Sequence, residues 1–389
     1  MVNRERLTKL LLELVRIDSL SRRERKIALR LKRELEELGA EVEFDHAGKE
    51  VGGDTGNLIA KFHGNSPSAA PILLVAHMDT VPPGEGVKPI VDGSVIRSDG
   101  TTVLGADDKS GVAIICEVVR SLKEHDVSFG DIEVVFTICE EVGPLGVLHL
   151  DVSRLRARSA LVVDGEMLGD LQTRAPAAYT LEFRVHGLEA HAGLCPECGI
   201  SAIKVAAEAI AEMRLGRIDH ETTANIGVIR GGLATNVVPS SVLVQGEARS
   251  HDAHKLEAQV RYMQQCFMEA ARRHRLELDG KTHDARVDAT AQLDFPAMNV
   301  PYDSQIVQTV LKSAEKLGIS MKPVTSGGGS DANALNARGI STVALGTGTR
   351  NIHTTGEYVE IEEMVKAAEL VAEIVRTIAV EGRVPSVVT

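Results

Sequence analysis

The chain has 389 residues, a formal net charge of −12, 43% apolar residues and 3% aromatic residues. That apolar share excludes a disordered chain, and an acidic balance with no dense Lys/Arg block excludes an electrostatic hold on nucleic acid or anionic lipid. No window approaches the roughly 18 uninterrupted apolar residues that span a bilayer, so no membrane partner is expected.

In chain order, Leu7, Leu10, Leu11, Leu14 and Val15 follow helical spacing, and Glu13 interrupts the apolar run. This predicts an amphipathic surface helix rather than a secretory signal. A second helix is predicted over residues 21–38, stopping at Gly39, with Ser21 and Glu24 in the form of a capping box. Strands over 57–62 and 72–76, an apolar helix over 111–122 and β-rich runs over 132–138 and 160–163 follow. Short, nearly all-apolar strands separated by helices predict a sheet covered on both faces, with substantial parallel character.

The texture changes over residues 175–293. A strand alternates over 179–185, an Ala-rich helix covers 200–214, strands cover 226–229 and 242–247, and a long helix covers 254–273. This β-α-β-β-α-β order predicts a ferredoxin-like sandwich. The first texture then returns with a helix over 303–317, a Gly-rich turn, a strand over 342–345 and a closing helix over 361–379. The expected architecture is an α/β domain with a largely parallel mixed sheet (1–174 and 294–389), interrupted by an inserted ferredoxin-like α+β domain (175–293).

Five segments place polar chemistry just beyond predicted strands. In ILLVAHMDTVPPG, His77 and Asp79 share one face of a strand end, where open α/β sheets bind ligands. LGADDKSG sets Asp107 and Asp108 before a helix; N-capping explains one acid but not easily both. IEVVFTICEEVG ends in Glu140 and Glu141, LVVDGE in Asp164, and TGTRNIHTTGEY carries His353. Together they put two imidazoles and three carboxylates at one end of one sheet, with a Glu to spare. That set suits a pair of divalent cations such as zinc, and the spare Glu suits a base activating a metal-bound water.

These elements, in this order, resemble the cocatalytic zinc peptidases, the family that includes peptidase T, carboxypeptidase G, acetylornithine deacetylase and aminoacylase. The likeness covers nearly the whole chain, and ADDK and NIH look closest to the peptidase T branch. The resemblance implies two zinc ions per subunit, with cobalt or manganese able to use the same ligands. His77 and Asp164 would hold one ion, Glu141 and His353 the other, and Asp107 would bridge them. Asp79 would orient the His77 ring. Glu140 would be the general base and later the proton donor to the leaving amine.

The resemblance extends to the inserted domain, which would be a lid through which two copies pair as a homodimer. His191 in EAHAG would polarise the substrate carbonyl of the partner's site, Asn236 in GGLATNVVP would touch substrate, and Arg249 in GEARSHD would bind a substrate carboxylate. Ser326–Asp331, SGGGSD, resembles a Gly-rich loop lining the cleft, equally readable as turn punctuation; it lacks the Gly-Lys-Ser/Thr of a P-loop. The expected activity is hydrolysis of short peptides, as by an aminopeptidase or tripeptidase; the alternative is an amidohydrolase on N-acyl or carbamoyl amino acids using the same metal site. Five cysteines make no disulfide framework, so a reducing cytoplasm is expected. Cys195 and Cys198 form a single CxxC, which lacks the second pair of a zinc knuckle and reads as incidental.

Overall fold

The computed structural model describes residues 2–381; Met1 and residues 382–389, which the sequence assigns to the α/β domain, lie outside the described residues. Cα packing divides the chain into two units, Met1–Ala175 with Met298–Thr389, and Pro176–Ala297.

The first unit is mixed α/β. At the centre of its main sheet, strands Ile132–Thr137, Ile72–His77, Ser159–Gly165 and Ser341–Gly346 lie side by side in parallel. Antiparallel neighbours extend it: Leu58–Phe62 and Glu41–Phe44 on one side, Asp170–Ala175 and Met298–Asn299 on the other. Every residue of Ile72–His77 and Ile132–Thr137 is buried, the continuous apolar signature of strands covered on both faces. Parallel register matters for function. Ile72 pairs with Ile132 and His77 with Thr137, while Ser341 pairs with Ser159. The C-terminal ends of four strands distant in sequence therefore meet at one edge.

Helices cover the sheet. Arg4–Leu14 buries Leu7, Leu11 and Leu14, spaced to one helical face, and the Asn3 side chain caps its start by accepting from the Arg6 N–H at 3.0 Å. Arg6 also reaches Glu117, buried on the helix Ala106–Glu124, with Nε to Oε2 at 2.6 Å. Ile361–Glu381 closes the chain.

The capping box expected at Ser21 and Glu24 does not form. The helix is Arg25–Glu37 with Glu24 at its N-cap and no side-chain capping bond. Ser21 Oγ instead donates to Asp79 Oδ2 at 2.6 Å, and Glu24 Oε1 accepts from the N–H groups of Arg22 and Cys139. Buried hydrogen-bond partners across the fold outcompete the local cap.

The second unit is an antiparallel sheet with two helices. Its spatial order is Gly216–Arg217, Thr222–Gly231, Ser241–Ser250, Ala177–His186, Arg286–Phe295. Leu181, Phe183 and Val185 alternate inward with Thr180, Glu182 and Arg184. They meet helices Ala202–Glu212 and Ala253–Arg272, and Phe183 stacks on Phe267 with ring centroids 4.1 Å apart. Among the described residues, no helix is long and apolar enough to cross a membrane.

Candidate active site

The aligned strand ends build a cluster of titratable side chains in the first unit. His77 closes its strand; its Nδ1 lies 2.9 Å from the Asp79 backbone oxygen and 3.5 Å from the Asp79 carboxylate. With Nδ1 donating there, Nε2 faces Asp107 Oδ1 at 3.1 Å and Asp164 Oδ1 at 3.6 Å; burial lowers the ring's proton affinity, but Asp164 and Asp107 outweigh it and hold His77 well above the ordinary histidine range, so Nε2 donates to Asp107. The second Asp107 oxygen faces His353 Nε2 at 3.2 Å, and that nitrogen also lies 2.9 Å from Glu141 Oε2. Asp107 thus offers one oxygen to each imidazole. His353 is at φ +61° and Cys139, just before Glu140, at φ +53°. Non-glycine residues in this left-handed region concentrate where function over-determines the backbone.

Asp79 acts inside the cluster. It is fully buried, and its two oxygens accept the Glu140 N–H at 2.9 Å and the Glu141 N–H at 3.2 Å, besides the Ser21 hydroxyl. One carboxylate thereby fixes both the His77 segment and the turn carrying the two glutamates.

The two acids of LGADDKSG divide as their environments dictate. Backbone at Asp107 and Asp108 is non-helical, interrupting the helix Ala106–Glu124; Asp108 Oδ1 accepts the Gly111 N–H at 3.0 Å, capping the run that resumes after the kink, and Oδ2 accepts the His77 backbone N–H at 3.2 Å. Asp107 is left to face the histidines. The donor atoms of His77, Asp107 and Glu141 lie within 4.8 Å of one another, as do those of His77, Asp108 and Asp164. Because both Asp108 oxygens are held by backbone N–H groups, Asp107, Asp164 and Glu141 are the better ligands. Glu141 Oε1 is buried with no hydrogen-bond partner, a polar atom that a cation would satisfy. This oxygen- and nitrogen-rich donor set fits divalent metal ions.

The electrostatics belong to a crowded, desolvated site. Burial, reinforced by Asp107, pushes the Asp164 carboxyl up to about 7 against the pull of His77. Burial likewise drives Glu140 well above the usual carboxyl range, His77 opposing and Asp164, Asp331 and Glu141 adding to the rise. Asp107 moves the other way: burial raises it, but contacts with His353 and His77 bring it below its ordinary value. The His353 ring rises to about 10 beside Asp107 and Glu141.

Two acids missed by the sequence reading complete the cluster. Glu357, 1% exposed, accepts the N–H groups of Leu104 and Gly105 with Oε2, both at 2.8 Å, and of Asp107 with Oε1 at 3.0 Å. It ties the His353 loop to the Asp107 loop. Asp331 opens the helix Asp331–Ala337, is buried, and accepts the Thr137 hydroxyl at 2.6 Å. Asp331 follows the glycines of SGGGSD, a pattern equally that of a turn, and Glu357 sits in TGEY, with no apolar strand before it to mark a site.

In the second unit, His191 and Asn236 come together. Ala190–His191 pairs with Val237–Val238, and the Ala192 N–H donates to the Asn236 oxygen at 2.9 Å. Arg249 lies on the strand Ser241–Ser250, where its Nη2 donates to Glu247 Oε2 at 2.9 Å and its Nε is buried without a partner. Cys195 and Cys198 are joined in a disulfide, whereas Cys116, Cys139 and Cys266 are free and buried.

Residues 73–377 match the family described as peptidase family M20/M25/M40. An uncharacterised protein, YqjE, of Bacillus subtilis is 42% identical over 97% of this chain and 100% of its own length. The crystal structure of aminopeptidase PepT from Bacillus cereus is 40% identical with a TM-score of 0.86, covering 97% of this chain and 99% of that one. A tripeptidase structure from Staphylococcus aureus is 37% identical with a TM-score of 0.90, covering 98% of this chain and 100% of that one.

Proposed function

The chain belongs to peptidase family M20/M25/M40 and is a hydrolytic peptidase, and from that premise we propose that it is a dinuclear zinc enzyme cleaving one amide bond of short peptides, in the manner of an aminopeptidase or tripeptidase. The observation that carries the reading is Asp107, whose two oxygens face His77 and His353 at 3.1 and 3.2 Å. The names of the Bacillus cereus aminopeptidase and the Staphylococcus aureus tripeptidase support the substrate class.

His77 and Asp164 would hold one ion, Glu141 and His353 the other, with Asp107 between them. When bound, such ions supply Lewis-acid charge that polarises a carbonyl and acidifies water. Glu140 takes the proton of the attacking water and delivers it to the leaving nitrogen as the C–N bond breaks. Burial raises that carboxyl's affinity for a proton, the direction a base taking a proton from water requires. Asp79 would hold the His77 ring through Nδ1, leaving Nε2 as the atom that gives up its proton to face an ion. The second unit would be a lid: His191 of one copy would donate to the oxyanion in its partner's site, and Asn236 and Arg249 would anchor a substrate carboxylate. Two copies pair through this unit as a homodimer, a reading supported by its exposed apolar residues Leu194, Ile203, Ile229 and Leu233. A cytoplasmic location is inferred from three of the five cysteines being free, buried thiols, the Cys195–Cys198 bond notwithstanding.

The test is Glu140→Ala with zinc, tripeptides, dipeptides and N-acyl amino acids assayed side by side. Turnover of a tripeptide should fall by about 10²–10⁴-fold or more, while zinc content stays at that of the unaltered protein. Near-normal turnover by the variant would end this mechanism, and a preference for N-acyl amino acids would replace the peptidase substrate.

A further inference from the structure

Between the helix that ends at Leu14 and the helix that begins at Arg25, residues 17–24 run as an irregular strap. The strap is bonded to three of the segments that supply the candidate ligands and base. Lys109 Nζ donates to the Ile17 oxygen at 2.8 Å, the Thr80 N–H to the Ser19 oxygen at 3.0 Å, the Ser21 hydroxyl to Asp79 Oδ2 at 2.6 Å and the Cys139 N–H to Glu24 Oε1 at 3.0 Å. Lys109 follows closely on Asp107, Asp79 on His77, and Cys139 directly precedes Glu140.

Glu24 makes the contact that the backbone most needs. It is fully buried, and its Oε1 accepts the N–H groups of Arg22 at 2.9 Å and Cys139 at 3.0 Å; the Cys139 thiol lies 3.4 Å from the same oxygen. Arg22 is at φ +73° and Cys139 at φ +53°. In that left-handed region the Cβ crowds the following carbonyl oxygen, and neither Arg nor Cys has the short polar side chain with which Asn or Asp bonds locally to offset it. One carboxyl oxygen thus fastens two strained residues. Beyond the strand Ile132–Thr137, the Ile138 N–H donates to Asn57 Oδ1 at 3.1 Å, the Cys139 N–H to Glu24, the Glu140 N–H to Asp79 Oδ1 at 2.9 Å and the Glu141 N–H to Asp79 Oδ2 at 3.2 Å. Four successive donors are held by side chains from other segments, and Glu24 holds the one at the left-handed bend.

We propose that Glu24 is a positioning residue for the hydrolysis: by holding the Cys139 N–H it fixes the bend directly before Glu140 and Glu141. The effect on rate rests on the reading of Glu140 as the base; the anchoring of the bend does not. Glu24 touches neither substrate nor metal in this role and acts through the backbone it holds.

The experiment compares Glu24→Ala, Glu24→Gln and Glu24→Asp as zinc-loaded, full-length proteins. Tripeptide kinetics give kcat and KM, thermal unfolding gives Tm, and hydrogen exchange read by mass reports the peptide spanning 138–146. A catalytic group displaced by about 1 Å can cost about 10²-fold in rate, so Glu24→Ala should lower kcat about 10–100-fold with KM changed less than about threefold. The 138–146 peptide should exchange about tenfold faster in that variant. Glu24→Gln keeps a carbonyl oxygen for both N–H groups and should hold kcat within about threefold of the unaltered protein. Glu24→Asp retracts the carboxyl by one methylene and should fall between; it carries the same readings if Glu24→Ala does not fold. Leu370→Ala, in the closing helix and 1% exposed, should lower Tm without lowering kcat, which separates positioning from general loss of stability. Unchanged exchange over 138–146 would overturn the anchor. Faster exchange with unchanged kcat would overturn the positioning role, as would Glu24→Gln being as slow as Glu24→Ala or an equal loss of kcat in Leu370→Ala. If the unaltered protein cleaves no peptide, the proposed function fails by itself, and hydrogen exchange still decides whether Glu24 anchors the bend.

Discussion

Replacing Glu357 by Ala should destabilise the protein and loosen its hold on metal, although Glu357 is not a proposed ligand. Its carboxylate accepts three backbone N–H groups at 2.8, 2.8 and 3.0 Å, and two of the donors, on Leu104 and Gly105, belong to buried residues. A buried donor left without its partner costs about 1–3 kcal/mol. Two such donors give about 2–6 kcal/mol, and water entering the vacated volume and relief of the desolvated carboxylate offset part of this, leaving a net loss of about 1–4 kcal/mol. At roughly 2 °C per kcal/mol that lowers Tm of the metal-free protein by about 2–8 °C. A second effect is local. The lost Asp107 bond frees the segment whose oxygens must meet His77 and His353, and losing such an orienting contact costs about 10–100-fold in metal affinity. Glu357→Gln keeps one carbonyl acceptor and should fall between the two. The assay is thermal unfolding in chelator together with zinc competition against an indicator of known affinity. A Glu357→Ala protein melting within 1 °C of the unaltered one with the same zinc affinity would refute the clamp.

Asp79→Asn turns a donating amide toward one of the Glu140 and Glu141 N–H groups, and zinc affinity measured by competition should drop about 10–100-fold while the fold, by far-UV circular dichroism, persists. Metal removal should abolish turnover and, for each site held at 100 times its Kd, withdraw about 2.7 kcal/mol of stability; a calorimetric Tm indifferent to chelator and added zinc contradicts the assigned donors. Burial, aided by Asp79, lifts Glu24 to about 7. Its folded value lies above the unfolded one, so the native state binds the extra proton and stability falls as pH rises from about 4.3 to 7, by roughly 2–4 kcal/mol. Urea midpoints of metal-free Glu24→Gln should show that slope reduced by the share of one proton, the remainder coming from Asp164 and the other raised carboxyls, and an identical slope in the variant would assign it elsewhere.

Much of this molecule was legible from residue order. Burial of the strands was written in IEVVFT and ILLVAH, because a strand covered on both faces has no polar side to show. The change to alternation at Tyr179–Val185 announced a sheet with one dry face. The metal-centre candidates stood out because each polar group follows directly on an apolar strand. Local capping was misread at Ser21 and Glu24, where motif and spacing were right but buried partners, Asp79 and Cys139, took both side chains.

Sequence by itself determined which residues are available for chemistry and which family they resemble; those are statements about composition at particular positions. Tertiary structure alone decided which of them meet. Parallel register brings residues 77, 140, 141, 164 and 353 to one edge, and no local pattern encodes a register between strands more than fifty residues apart. The same holds for Glu357, whose three partners lie about 250 residues away, and for the division of labour between Asp107 and Asp108. Two adjacent acids are chemically alike until the fold gives one of them backbone donors and the other two imidazoles.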